Sequence, residues 1–412
     1  MHLIALLLWL VAQPGLATRL LPADRAEVLA AQALAGVQIT APSAQYQFGS
    51  QVTFTASFKA PQAPQAAYLY VSLRDGVVRV YPISLGPGNS LVTVLDLKQE
   101  TLSPFSRVYY WYRLNFTGGA TYTSPSFWFD YDDNRFTWQS LSSNVFHIHW
   151  IEGDAVFGQS LLDVAQAGFK ANQGILPVPP PAKPINIYVY AHARDLQSAL
   201  ELSGLNWVEG HASPDLGIIL VSIPQGPDQR IAMEQQIPHE LSHVMLYLWI
   251  GSAYSRVPTW LTEGLASMME LYPNSDYPHA IEIASQKGTL LPLSSLCQSF
   301  PKDASNSFLA YAESESFVRY LNTTYGVSGI QALVQRSVDG MGCSEATDAA
   351  LGTPLDVLDA RWRKESLGLN VTSVALGNLA PYFLVAALAL IPLAVLGFRS
   401  KRPRKAGEIH GG

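Results

Sequence analysis

Two histidines four residues apart, with a glutamate twenty residues further on, set the tightest limit on how this 412-residue chain folds. They lie in "IPHELSHVMLYLWIGSAYSRVPTWLTEGLASMMELY", residues 237–272. The spacing predicts that His239 and His243 sit one turn apart on one face of a helix, where both can grip one ion. Zinc accepts imidazole nitrogen at ~2.0–2.1 Å, so the two rings must converge. Gly251 predicts the end of that helix, "SAYSRV" reads as a loop, and Pro258 allows a second helix to begin. Antiparallel helices joined by so short a loop bring Glu263 back beside the histidines. Glu270, two turns beyond, points past them and suits a place behind the ligands or at the surface. Glu240 is offset by one residue from His239. It cannot join as a third ligand, but it can face a water at the same ion and accept its proton. The competing reading is an ordinary amphipathic helix whose other face, Val244 and Leu248, is apolar.

Composition and the two ends bound the rest. The chain is long enough for two to three domains. Only 14% of its residues are charged, against ~25% in a typical soluble domain. With 9 Trp and 19 Tyr, this argues against disorder and against nucleic-acid binding. The start, "MHLIALLLWLVAQPGLATRL", has the apolar run and small-residue end of a secretory signal peptide, expected over residues 1–17. No charged residue occurs from Leu367 to Phe398. Within that stretch, residues 379–398 are expected to form a transmembrane helix, and the basic tail 399–412 marks the cytoplasmic side. The tail carries five basic residues and one acidic, a net of +4, which leaves −10 on the rest of a chain whose total is −6. The expected arrangement is a single-pass protein of the cell membrane, with a mildly acidic N-terminal ectodomain outside. Cys297 and Cys343 are the only cysteines, and an oxidising compartment favours a bridge between them.

Residues 36–130 read as an all-β sandwich of immunoglobulin-like size. "VQITAP", "QVTFTASFK", "AAYLYVSLR", "VVRVYPIS", "LVTVLDL" and "VYYWYRLNF" are short runs rich in Val, Thr, Tyr and Phe, mostly separated by turn residues. No catalytic constellation is visible in them. "NVFHIHWIEG" reads as a strand with His147 and His149 on one face, a possible metal pair, though polar positions on a sheet explain them as well. A helix follows over 154–173. "INIYVYA" and "LGIILVSIP" then read as strands, "ARDLQSALELSG" as a short helix, "FLAYAESESFVRYLNTTYG" and "GIQALVQRSVDG" as helical, and "TPLDVLDARWRKES" as a last short helix.

"HELSH" at 239–243 followed by "PTWLTEGLA" at 258–266 resembles the gluzincin metallopeptidases of the peptidase MA-like type, whose pattern is HExxH and then WLxEGxA. The likeness covers roughly 145–365. It implies an α+β metallopeptidase domain, with a small sheet above the HExxH helix and a mainly helical half below. In that fold "LGIILVSIP" would be the edge strand along which a peptide adds. It further implies that His239, His243 and Glu263 hold one catalytic Zn2+, with Glu240 as general base. Related zinc peptidases steady the oxyanion with a Tyr or His. Tyr311 is the candidate here, and His211 a second. Tyr311 also reads simply as a partly buried ring.

The expected function is therefore a membrane-anchored, extracytoplasmic zinc metallopeptidase acting on a peptide or protein substrate. The alternative is a cell-surface binding or scaffold protein whose peptidase fold is inactive. An intramembrane protease is a poor third reading, because its HExxH would need to lie in a membrane span and "QRIAMEQQIPHELSH" is too polar for one.

Overall fold

The computed structural model describes residues 34–72, 77–85, 88–100, 102–201 and 210–368. The expected signal peptide (1–17), membrane span (379–398) and basic tail (399–412) lie outside these. Among the described residues no helix is long and apolar enough to cross a membrane. The chain divides into two compact units, one holding residues up to 137 together with 194–208, the other holding the remainder.

The first unit is β-rich. The six expected strands are β1 (Gln38–Gln47), β2 (Gln51–Lys59), β3 (Ala66–Ser72), β4 (Val78–Ile83), β5 (Ser90–Asp96) and β6 (Ser106–Asn115). Two more, β7 (Thr121–Thr123) and β8 (Phe127–Tyr131), complete it. One antiparallel sheet has the order β1-β2-β5, and the other β4-β3-β6-β7, with β8 also paired to β6. Alternation sets the inward face: Val52, Phe54, Ala56 and Phe58 on β2, and Val108, Tyr110, Tyr112 and Leu114 on β6, are buried. Phe54 of the first sheet meets Tyr110 of the second edge-on at 4.9 Å, so the two sheets share one aromatic-rich core.

The second unit is built on the sheet β12-β13-β11-β10-β9. Its strands are β9 (Gln139–Ser142), β10 (Phe146–Trp150), β11 (Ile185–Tyr190), β12 (Gly210–Ser213) and β13 (Ile218–Ser222). The central three are parallel and the outer two antiparallel. Helix α1 (Ala155–Gln173) lies between β10 and β11 in sequence, while α2 (Ala193–Glu201), which follows β11 in sequence, falls with the first unit from residue 194. Then come α3 (Gln229–Ile250), a 3-10 turn (Gly251–Arg256), α4 (Thr259–Met268), α5 (Asp276–Lys287), α6 (Ala304–Val338), α7 (Cys343–Leu351) and α8 (Leu355–Ser366).

One expectation is corrected. "LGIILVSIP" does not form the sheet edge: β13 lies between β11 and β12, and all five of its residues are buried. An uninterrupted apolar run is what a parallel strand covered on both faces requires. The edge belongs instead to the four-residue β12. The expected helical segments "FLAYAESESFVRYLNTTYG" and "GIQALVQRSVDG" are the two stretches of α6, which meet at the non-helical Gly326 (φ 69°, ψ −179°).

Candidate metal centre

Helix α3 carries both histidines, and its path is fixed by the residue before them. Pro238 has no N–H to give the carbonyl of Glu234, four residues back. That carbonyl accepts the N–H of Leu271 at 2.8 Å instead. The bond docks the chain just beyond α4 against α3 and brings Glu270 to His239. On the opposite side α1 touches the same turn: a Cβ on Gly168 would lie 3.0 Å from the Pro238 ring, and the Asn172 amide donates to the Pro238 carbonyl at 3.4 Å.

Helix α4 delivers Glu263. Its first residue, Thr259, donates its N–H to the Cys297 carbonyl at 3.0 Å, and the Trp260 indole N–H points at Cys343 Sγ at 3.2 Å. Cys297 and Cys343 are bridged, so the disulfide holds the start of α4 from both sides. Gly264 lets α4 lie directly on α6, since a Cβ there would meet the Ser314 carbonyl oxygen at 2.4 Å.

These elements bring Glu263 Oε2 to 3.5 Å from the Nε2 atoms of both His239 and His243. All three donors lie within 4.8 Å of one another, and this trio could hold a metal ion. Tetrahedral ligands ~2.0–2.1 Å from zinc stand about 3.3 Å apart, so the spacing fits. The other ring nitrogens are already engaged. His239 Nδ1 lies 3.1 Å from Glu270 Oε1, and His243 Nδ1 lies 2.9 Å from the Tyr254 hydroxyl. Both Nε2 atoms are thereby turned to the shared position, the way outer partners orient metal-binding histidines.

The electrostatics of the cluster follow from this crowding. Burial opposes a charge on His239, but its bonds to Glu263 and then Glu270 outweigh that and raise its pKa to about 10. Burial would raise the Glu263 pKa as well, yet the two histidines hold it well below the carboxylate range. A metal ion must displace the His239 proton, so affinity rises with pH. Burial raises the pKa of Glu240, opposed by His239 and His243. Its carboxylate accepts the N–H of Ala212 on β12, which places the acid between the histidine pair and the edge of the sheet.

Glu270 takes the place behind the ligands that its spacing allowed. Tyr254 was missed because "SAYSRV" reads as a connecting loop. A tyrosine eleven residues after a ligand histidine, on a tight turn returning towards it, was the signal available. Tyr311 has its ring 6.1 Å from that of His239 and packs edge-on against Phe300. Burial, then the charges of Glu263 and Glu240, raise its pKa, so its hydroxyl is protonated. His211 lies on β12 beside Ala212. His147 and His149 share a face of β10, where His149 stacks on Tyr188 at 4.4 Å. Neither belongs to a three-ligand group among the described residues.

Residues 170–367, just under half of the chain, match the family model of the Peptidase MA superfamily, which supports a peptidase-like domain in this part of the chain. No curated protein matches the chain. Among solved structures, the carbohydrate-binding module family 56 β-1,3-glucan binding domain is similar at 15% identity and a TM-score of 0.17, over 22% of this chain and 98% of that one. The cycloalternan-degrading enzyme from Trueperella pyogenes in complex with isomaltose is similar at 22% identity and a TM-score of 0.17, over 26% of this chain and 13% of that one. A polysaccharide deacetylase from Bacillus cereus is similar at 8% identity and a TM-score of 0.19, over 42% and 56%. TM-scores this low establish no shared fold.

Proposed function

We propose that this chain is a membrane-anchored, extracytoplasmic zinc metallopeptidase that hydrolyses peptide bonds, with Glu240 as general base. The observation that carries the reading is the convergence of His239, His243 and Glu263 at distances that fit zinc, with the Glu240 carboxylate beside them and outside the ligand set. A zinc ion bound there would supply a Lewis acid and an acidified water. The residues supply the remainder. Glu240 is held against the N–H of Ala212, where it can take a proton from water and return it to the leaving amine. Tyr311, with its hydroxyl protonated, can donate to the oxygen that gains charge as the carbonyl is attacked. Glu270 and Tyr254 hold the histidine rings in position. The match to the Peptidase MA superfamily supports a peptide or protein substrate, and the apolar run 379–398 before a basic tail supports an anchor with the ectodomain outside.

The test is hydrolysis of a quenched-fluorescent peptide mixture by the zinc-loaded protein, with Glu240→Gln as control. The expected result is cleavage that falls by at least about 100-fold in the variant, as loss of a general base entails. Absence of cleavage by the zinc-loaded parent would leave an inactive scaffold as the better reading.

A further inference from the structure

Gly210 opens the edge strand β12, one residue before His211 and two before Ala212. Its backbone does not need glycine, because it is not among the residues with positive φ. The space around it does. A Cβ at this position would lie 2.6 Å from Glu240 Oε1 and 3.2 Å from both Cδ and Cγ of the same side chain. The first of these distances is shorter than real Cβ contacts, so the flexible end of Glu240 would have to shift to make room. Glu240 is only 8% exposed, and the N–H of Ala212, two residues along the same strand, holds its carboxylate. The missing side chain and the hydrogen bond therefore act together: one leaves room for the carboxylate and the other contacts it.

We infer that Gly210 is a positioning residue for Glu240, and that the bare first residue of β12 determines where the proposed general base sits. The inference rests on the function proposed above for the rate effect, but its geometric core does not. A methyl group at 210 displaces the carboxylate from the Ala212 N–H while leaving His239, His243 and Glu263 untouched. A misplacement of about 1 Å in catalytic geometry can cost on the order of 100-fold in rate. Gly210→Ala should therefore bind zinc as the parent does, keep KM within about 3-fold, and lose about 10- to 100-fold in kcat.

The test needs a readout independent of turnover. Selective labelling of alanine nitrogens lets hydrogen exchange at the Ala212 amide be followed by NMR in the metal-free full chain. Zinc affinity, measured by competition with a chromophoric chelator, and cleavage of the quenched-fluorescent peptide mixture complete the set. Gly210→Ala is expected to expose the Ala212 amide as Glu240→Ala does, with zinc affinity unchanged. An Ala212 amide as protected in Gly210→Ala as in the parent would overturn the inference. If the parent cleaves nothing yet Gly210→Ala exposes Ala212, the positioning stands and the peptidase reading fails. Should Gly210→Ala not fold, Gly210→Ala/Glu240→Ala decides. A folded double variant identifies the clash with Glu240 as the cause, and an unfolded one shows that the backbone itself needs glycine.

Discussion

Glu270 touches His239 through Nδ1, at 3.1 Å. Removing a partner of this kind behind a metal-binding histidine costs 10- to 100-fold in metal affinity. Glu270→Ala should therefore weaken zinc binding by about that factor while Glu240 and Glu263 stay in place. Chelator competition measures it, and an unchanged affinity would deny Glu270 its orienting role. A second residue gives a pH signature away from the metal. Glu313 on α6 is fully buried and accepts the N–H of Leu291 at 2.9 Å, while its other oxygen has no partner. Burial raises its pKa to about 8, against the pull of that N–H and of Arg363. The folded state thus binds a proton that the unfolded chain gives up near pH 4.5. The stability this contributes is complete below pH 4.5 and is lost as pH rises to about 8, at no more than about 1.4 kcal/mol per pH unit. Glu313→Gln mimics the protonated acid and should flatten that part of the thermal-stability profile. An unchanged slope would mean that Glu313 ionises freely. The candidate metal trio could be read in the sequence because four-residue spacing on a helix is a local property. Gly210 and Glu313 could not be, because their roles depend on which strand or loop packs against them, and Tyr254 left only its spacing from His243 as a signal.

At the scale of elements, the strands and helices were legible where apolar patterning was strong, as in β2, β6 and α1, while the α3–α4 pair was legible from the histidine spacing, Gly251 and Pro258. What failed was order within the sheet. The apolar run of β13 gave no sign of which neighbours it takes, and the edge fell to the short β12 with its polar His211 and Ser213. β8 lies in "FWFDY", just before a polar, turn-rich stretch that reads as a domain boundary. The bridge between Cys297 and Cys343 was expected from compartment alone; its position at the start of α4 was not. Because Thr259 and Trp260 bond to the two half-cystines, opening the bridge loosens the helix that carries Glu263. Loss of a native disulfide typically costs 2–5 kcal/mol. The Cys297→Ser/Cys343→Ser variant should melt lower and also bind zinc more weakly. A lower melting temperature with full zinc affinity would separate the bridge from the metal centre.

At the scale of the molecule, the proposal joins an exported metallopeptidase domain to a membrane anchor. Only about sixteen residues separate Trp362, buried in α8, from the start of the apolar span at residue 379. If that span anchors the chain as proposed, so short a connection would limit the reach of the site to peptide near the bilayer. Inserting a flexible segment between residues 366 and 374 should change cleavage of membrane-tethered substrates and leave soluble peptides unaffected; equal rates on tethered substrates with both linker lengths would remove the restriction. All of this depends on one ion being held by three side chains. The most direct measurement is the zinc content of the purified protein beside His243→Ala and Glu263→Ala, with folding checked by thermal melting. Close to one zinc per chain in the parent, lost or greatly weakened in both folded variants, is the result the account predicts. A folded parent that takes up no zinc on reconstitution, or variants that retain it, would contradict the account.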